Sequence, residues 1–193
     1  MDLLNLEYCP KEVGGNFECN KNQISSLVGC PAIILGEFNC SENGLGDLLG
    51  CPSSVGGDFR CAYNSLTSLV GCPIGARGFY CNMNSLNSLE GCPKKVVGMF
   101  FCSYNQLTTL VGGPESVGGS FSCSNNGLLS LEFYPAVVER FFHSANNIGE
   151  LELFLYDYSP EQIRQYYISK NFNERLEISL REEVVVLGKK NKI

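Results

Sequence analysis

The chain has 193 residues, 44% of them hydrophobic and 18% charged, with a formal net charge of −6; this apolar content makes a single folded domain and argues against disorder. No run approaches the ~18 consecutive apolar residues of a spanning helix, and the opening MDLLNLEYCP lacks the basic start and apolar core of a secretory signal. A pI near 4.9 with only 14 Lys and Arg argues against phosphate-backbone binding, so neither nucleic acid nor membrane is expected as a partner.

From its first residues the chain is repetitive. Leu3 and Leu6 fit the two Leu positions of a unit whose strand is missing. This leaves an open N-terminal edge, so a homodimer through that unit is the alternative to the expected monomer. Pro then recurs at 10, 31, 52, 73, 93, 114 and 135, in steps of 20 or 21 residues. Aligned on these prolines the unit reads C-P-x-x-V-G-G-x-F-x-C-x-x-N-x-L-x-x-L-x-G. Phe falls at 17, 38, 59, 79, 100, 121 and 141, and Asn at 22, 43, 64, 84, 105, 126 and 146. Two further apolar columns run from Ile24 to Ile148 and from Leu27 to Leu151.

Around each Phe the pattern alternates with period two, Phe and Cys on one side and their neighbours on the other, which is the signature of a short strand with one buried face. One unit cannot bury its Phe, Cys and two Leu side chains alone. Adjacent units must therefore stack, with their strands forming one parallel sheet along a repeat solenoid. The Asn column has a separate cause: where the chain leaves the strand, inward-facing backbone groups lack sheet partners, and a carboxamide both donates and accepts there.

Strand-x-x-N-x-L-x-x-L followed by Pro resembles the leucine-rich repeat. Asn105-Gln106-Leu107-Thr108-Thr109-Leu110 with Pro114 is similar to the short bacterial type found in secreted effectors. The likeness covers about residues 1–151, as a leucine-rich-repeat solenoid of about seven units. Here Phe and Cys take strand positions usually held by Leu or Val, the common unit is 21 residues rather than 20, and Val and Phe lie four apart rather than three. The Phe/Cys variant is also similar to repeats in uncharacterised phage and large-virus proteins. The resemblance implies a parallel sheet on a concave side, irregular turns on the convex side, and partner binding on the concave face. Effectors of this type often carry a ubiquitin-ligase domain, but the roughly 42 residues after the repeats are too few for one.

The 11 cysteines fall in two columns, Cys19, Cys40, Cys61, Cys81, Cys102 and Cys123 on the strands and Cys9, Cys30, Cys51, Cys72 and Cys92 just before Pro. Bridges between adjacent parallel strands fit disulfide geometry poorly, and an odd number cannot all pair. Buried free thiols are therefore expected, in the cytoplasm of a bacterial or infected host cell. No close C-x-x-C pair suggests zinc, and no metal or other cofactor is expected. His143, the only His, occupies the last strand-Cys position. With no H-E-x-x-H, G-x-S-x-G or Gly-Lys-Ser/Thr loop, and with Val-Gly-Gly recurring as turn punctuation, the chain is not expected to be an enzyme.

If Phe and Cys point inward, the alternate residues share an outer face. Its first three units are acidic and polar, with Glu37, Asp58 and Arg60 placed to steer a partner at the rim. Tyr63, Tyr80, Met83, Met99, Phe101 and Tyr104 converge on the middle of the sheet, an exposed aromatic patch of the kind that marks protein interfaces. These nine residues are the candidate partner-binding site. The expected function is a protein–protein interaction module, in one form a viral or bacterial inhibitor of a host or defence protein. A structural component that self-associates through the patch or the open edge is the alternative.

Residues 152–193 read as a small α/β C-terminal cap. Ser159-Pro160-Glu161-Gln162 carries the N-cap, first-turn Pro and capping-box Gln of a helix over about 160–172. Ile163, Tyr166 and Tyr167 make its apolar stripe. Leu176, Ile178 and Leu180 then alternate like a strand, and Val184 to Leu187 form a short apolar run before Gly188.

Overall fold

The computed structural model describes residues 3–135, 138–142, 146 and 159–190. The chain divides into two compact units, Met1–Tyr156 and Asp157–Ile193. The first is a parallel β-solenoid. Among the described residues twelve short strands follow in chain order, β1 Glu12–Val13, β2 Phe17–Glu18, β3 Ile33–Ile34, β4 Phe38–Asn39, β5 Ser54–Val55, β6 Phe59–Arg60, β7 Phe79–Tyr80, β8 Lys95–Val96, β9 Phe100–Phe101, β10 Ser116–Val117, β11 Ser120–Ser122 and β12 Arg140–Phe142. Seven of them, in the order β12-β11-β9-β7-β6-β4-β2, form one parallel sheet in which every Phe pairs in register with the Phe of the next repeat.

The register follows from burial. Phe38, Phe59, Phe79, Phe100 and Phe121 are 0% exposed, and the six strand cysteines and both Leu columns from Ile24 to Leu131 are equally enclosed. Slipping one strand by one residue would put its Phe in solvent, at a cost of about 1.5–3 kcal/mol for the ring alone. Successive rings lie 5.2–5.8 Å apart, tilted from Phe17 to Phe79 and stacked from Phe79 to Phe121. Phe17, in the terminal strand β2, stays half-buried.

The Asn column does what the backbone requires. Asn84 Nδ2 donates to the carbonyls of Cys81 and Asn82 in its own repeat and of Cys61 in the preceding one, while its Oδ1 accepts from the Leu66 N–H at 3.0 Å. Asn64 and Asn105 repeat the arrangement. One side chain thus ties each corner to itself and to its neighbour.

That corner has a backbone cost invisible in the residue pattern. The position just before Asn is left-handed in six repeats, at Lys21, Glu42, Tyr63, Met83, Tyr104 and Asn125, with φ of 54° to 56°. The left-handed residue comes three positions after the last strand residue, as Tyr63 does after Arg60, and directly precedes the Asn whose carboxamide reaches the backbone carbonyls. The N–H of each of the first five donates to a carbonyl of the next repeat, as Tyr63 does to Asn82 and Tyr104 to Ser124. For residues other than Gly, Asn or Asp this conformation costs about 1–2 kcal/mol.

Just before the Phe strand of the first, second, third, fifth and sixth repeats, across a short Gly-containing turn, a second strand-like segment forms, while the stretch from the strand Cys to the next Pro is irregular turns as expected. These segments pair as two short parallel ladders at the Val positions, β1-β3-β5 and β8-β10. The fourth repeat interrupts them. It is one residue shorter between Pro73 and Phe79 than the third is between Pro52 and Phe59, and Ala76 fills the Val column.

The described residues of the second unit form a helix, α1, Pro160–Lys190. It starts as its capping box requires, with the Ser159 N–H donating to Gln162 Oε1 at 2.8 Å and the Gln162 N–H donating to Ser159 Oγ at 3.3 Å. Ile163 and Tyr167 are buried and Tyr166 is half-buried. The helix does not stop near 172. It continues through 176–187, correcting the strand reading there: Leu176, Ile178 and Leu180 alternate with polar neighbours, but Leu176, Leu180 and the first residue of the apolar run, Val184, also lie four apart, a spacing that suits a helix equally well. The expected boundary at 151/152 and the column ends Ile148 and Leu151, together with His143, lie outside the described residues.

Candidate functional site

The outer face of the seven-stranded sheet is built from three columns: the residue before each Phe, the residue after it, and the left-handed corner residue. The seven strands hold the first two columns in register, so neighbouring side chains in a column meet. The residue after the strand Cys does not join this surface. Ser41, Ala62, Ser103 and Ser124 are small and buried, and the Ser103 and Ser122 hydroxyls share a 2.7 Å hydrogen bond.

Arg60 is the centre of the acidic end. Its guanidinium is ion-paired through Nε with Glu37 Oε1 and through Nη2 with Asp58 Oδ2 at 2.9 Å. Its Cζ sits 4.0 Å from the centroid of the Tyr80 ring. Glu37, Asp58 and Arg60 are thus not independent steering charges at a rim but one locked cluster, each half-buried. Burial disfavours the Arg60 charge, and the Glu37 bond with the surrounding carboxylates more than compensates, raising its pKa. Tyr80 is also raised above its ordinary value, first by burial and then by the Asp58 carboxylate, so it remains a neutral phenol.

The chain of contacts continues into the aromatic centre. Tyr80 meets Phe101 edge-on, with centroids 5.3 Å apart and planes at 83°, an arrangement favoured by the ring quadrupoles. Met99 beside them is 43% exposed. Tyr63 and Tyr104, at 52% and 51% exposure, and half-buried Met83 belong to the corner column rather than to the strands. The nine candidate residues therefore divide into a preorganised run, Glu37–Asp58–Arg60–Tyr80–Phe101, a neighbouring Met99, and a corner strip of three.

Two residues outside the sequence-derived set shape this surface. Gly78 is buried in the before-Phe column; a Cβ there would lie 2.8 Å from Asp58 Oδ1 and 3.0 Å from Tyr80 Cε2. Its bare backbone lets the Tyr80 ring lie down on the sheet. The result is a recess of about 310 Å³ lined by Asp58, Arg77, Tyr80, Gly98 and Met99. Arg77, exposed at this recess, has no ion pair among the described residues. The one-residue shortening of the fourth repeat was the signal that could have drawn attention to both.

A second recess, of about 300 Å³, opens at the Pro-side corner between Lys94, Glu115, Phe133 and Tyr134. Phe133 has φ 65° at a position where five earlier repeats place Gly at 83° to 92°.

The eleven thiols are free, the six on the strands buried. Burial pushes Cys19 and Cys92 up to about 12, with the Cys9 and Glu18 charges adding to the effect at Cys19 and Lys94 opposing it at Cys92. These are the surroundings of packing groups rather than of nucleophiles. Among the described residues no three His, Cys, Asp or Glu side chains are grouped to hold a metal ion, and no helix is long and apolar enough to cross a membrane. No family model, no curated protein and no solved structure matches the chain.

Proposed function

We propose that the chain is a non-enzymatic protein-binding module of leucine-rich-repeat type, docking a partner protein on the outer sheet face at the third to fifth repeats. In this reading it acts in the reducing cytoplasm of a bacterial or infected host cell, as a viral or bacterial inhibitor that occupies a host or defence protein. The observation that carries it is the Tyr80–Phe101 pair. Two large rings face outward from a sheet whose interior is already filled, held in one geometry by Arg60 and flanked by exposed Met99, Tyr63 and Tyr104. Rigid aromatic side chains bordered by fixed charges are the usual anchors of protein interfaces, because little entropy is lost when they are covered. The test is capture of the partner from the native host, identified by mass spectrometry, with the Tyr80→Ala/Phe101→Ala double variant alongside. Partner loss with an unchanged thermal melt supports the reading; unchanged capture overturns it.

Self-association is the second reading, favoured by half-buried Phe17 in the terminal strand β2 and by the same aromatic patch. Light scattering across a concentration series separates the two, since a partner-seeking monomer keeps its mass.

A further inference from the structure

The corner column offers a natural experiment on what each side chain is for. All six positions share the same left-handed backbone, which Gly or Asn adopts most readily, and the sixth repeat does use Asn125 there. The third to fifth repeats instead carry Tyr63, Met83 and Tyr104. The two tyrosines are more than half exposed, so packing within the solenoid does not return the strain they impose. Lys21 and Glu42 hold the same backbone, so the strain is common to the corner; what sets the third and fifth repeats apart is a large ring, more than half exposed, at a position that needs no ring for the fold.

The chemistry of the surroundings says what would meet them. In the first three repeats the outer face holds Glu18, Glu37, Glu42 and Asp58 against only Lys21 and Arg60, an excess of carboxylate beside the exposed rings. Arg60 is consumed by Glu37, Asp58 and Tyr80, and Arg77, exposed at the recess beside Tyr80 and Met99, sets one positive charge at that edge. The carboxylates left to a partner are Glu18, which accepts only a 3.3 Å bond from Asn39, and Glu42. The Lys21–Glu42 pair is long, at 3.7 Å, and solvent-exposed, hence weak. Among the described residues no cation lies over Tyr63, Phe101 or Tyr104, whereas Tyr80 shows within this molecule how a guanidinium seats on this face. Acidic groups bordering open rings complement positive charge and repel negative charge.

From this, and resting on the protein-binding reading above, we infer that the partner presents a basic segment. Its arginine or lysine side chains lie over Tyr63, Phe101 and Tyr104 and against Glu18 and Glu42. The acidic repeats lie on one side of the rings and Ser120, Ser122 and Asn125 on the other. This asymmetry sets one direction for the segment along the solenoid.

The test uses the full chain, isotopically labelled, titrated by NMR with three capped hexapeptides: Arg-Ser-Arg-Ser-Arg-Ser, its Glu counterpart and its Leu counterpart. The arginine peptide is expected to shift resonances of Tyr63, Phe101 and Tyr104, with affinity falling as NaCl rises from about 0.05 to 0.5 M. The Tyr63→Asn/Tyr104→Asn variant, which installs the residue that Asn125 already places on this backbone, should bind about tenfold more weakly without a lower melting temperature. Equal shifts from the Glu peptide, undiminished binding by the Asn variant, or shifts from none of the three overturn the inference. Shifts from the Leu peptide alone also overturn it, yet leave an apolar protein partner standing. Failure of the Tyr80/Phe101 capture is a separate result that bears on the protein-binding reading itself.

Discussion

The inner and outer walls of the same short strands obey opposite rules. Inside, Phe, Cys, Asn and Leu recur with almost no variation, and each meets its own kind in the next repeat: Phe79 lies 5.3 Å from Phe100, and Asn84 and Asn105 reach equivalent carbonyls. Outside, the residue after Phe changes from Glu18 through Arg60 and Tyr80 to Ser122. Stacking requires uniformity, because an interior side chain must fit the layers above and below it. The solvent-facing columns have no such requirement, and variation there carries specificity. Interior substitutions should therefore change stability, and exterior ones recognition.

The largest expected effect is at the centre of the stack. Phe79→Ala should lower unfolding free energy by ~3–5 kcal/mol, read as a shifted urea midpoint, because its neighbours are fixed from both sides and cannot collapse into the cavity. Next is Asn105→Ala, which leaves the Leu86 N–H without its partner and removes the donor to the Cys81 and Cys102 carbonyls, at ~1–3 kcal/mol. An unchanged melt for either variant would break the comparison from the inner side.

The thiols extend it to pH. Cys19 and Cys92 have native pKa values of about 12 against an ordinary 9.0, so the native state holds its protons where the unfolded chain has lost them. Their contribution is complete below about pH 9 and falls by ~1.4 kcal/mol per pH unit per thiol as pH rises toward 12. Thermal melts across that window should be flat below it and steep within it, and peptide mapping should find little alkylation of Cys19 and Cys92 by iodoacetamide at pH 8 unless denaturant is added.

Smaller effects belong to the outer wall. Gly78→Ala should cost under ~1 kcal/mol, since the Asp58 and Tyr80 side chains it meets can give way, but it should lift the Tyr80 ring from Arg60. Loss of the ring-current shift on the Arg60 side-chain protons would report that. Tyr104→Asn alone should leave stability unchanged or raise it by up to ~1 kcal/mol through relief of the left-handed corner, and a clear loss in a calorimetric melt would place Tyr104 with the inner columns instead.

Much of the interior was legible without coordinates, because a periodic residue facing its own copy has only one environment to satisfy. The exterior was legible by position only. The sequence set Tyr63, Met83 and Tyr104 beside the strand residues, and their left-handed turn went unseen because Tyr and Met are poor markers of that conformation. The Glu37–Arg60–Asp58 cluster was hidden for another reason. Glu37 and Arg60 are 23 residues apart and meet because adjacent repeats place them in contact. In α1, Leu176 and Leu180 satisfied two periodicities at once, alternating through Ile178 and lying four apart, and only the backbone decided between them.

The amino-acid order alone thus determined the solenoid, its register and the identity of its core columns, since each follows from burying the same four side chains every 20 or 21 residues. The tertiary structure decided which outer groups are committed to one another and which remain open. Arg60 is bound by two carboxylates and a ring, while Tyr63 and Tyr104 stand in solvent on a strained corner. That division depends on distances between repeats and on a single backbone angle, quantities that no residue pattern specifies.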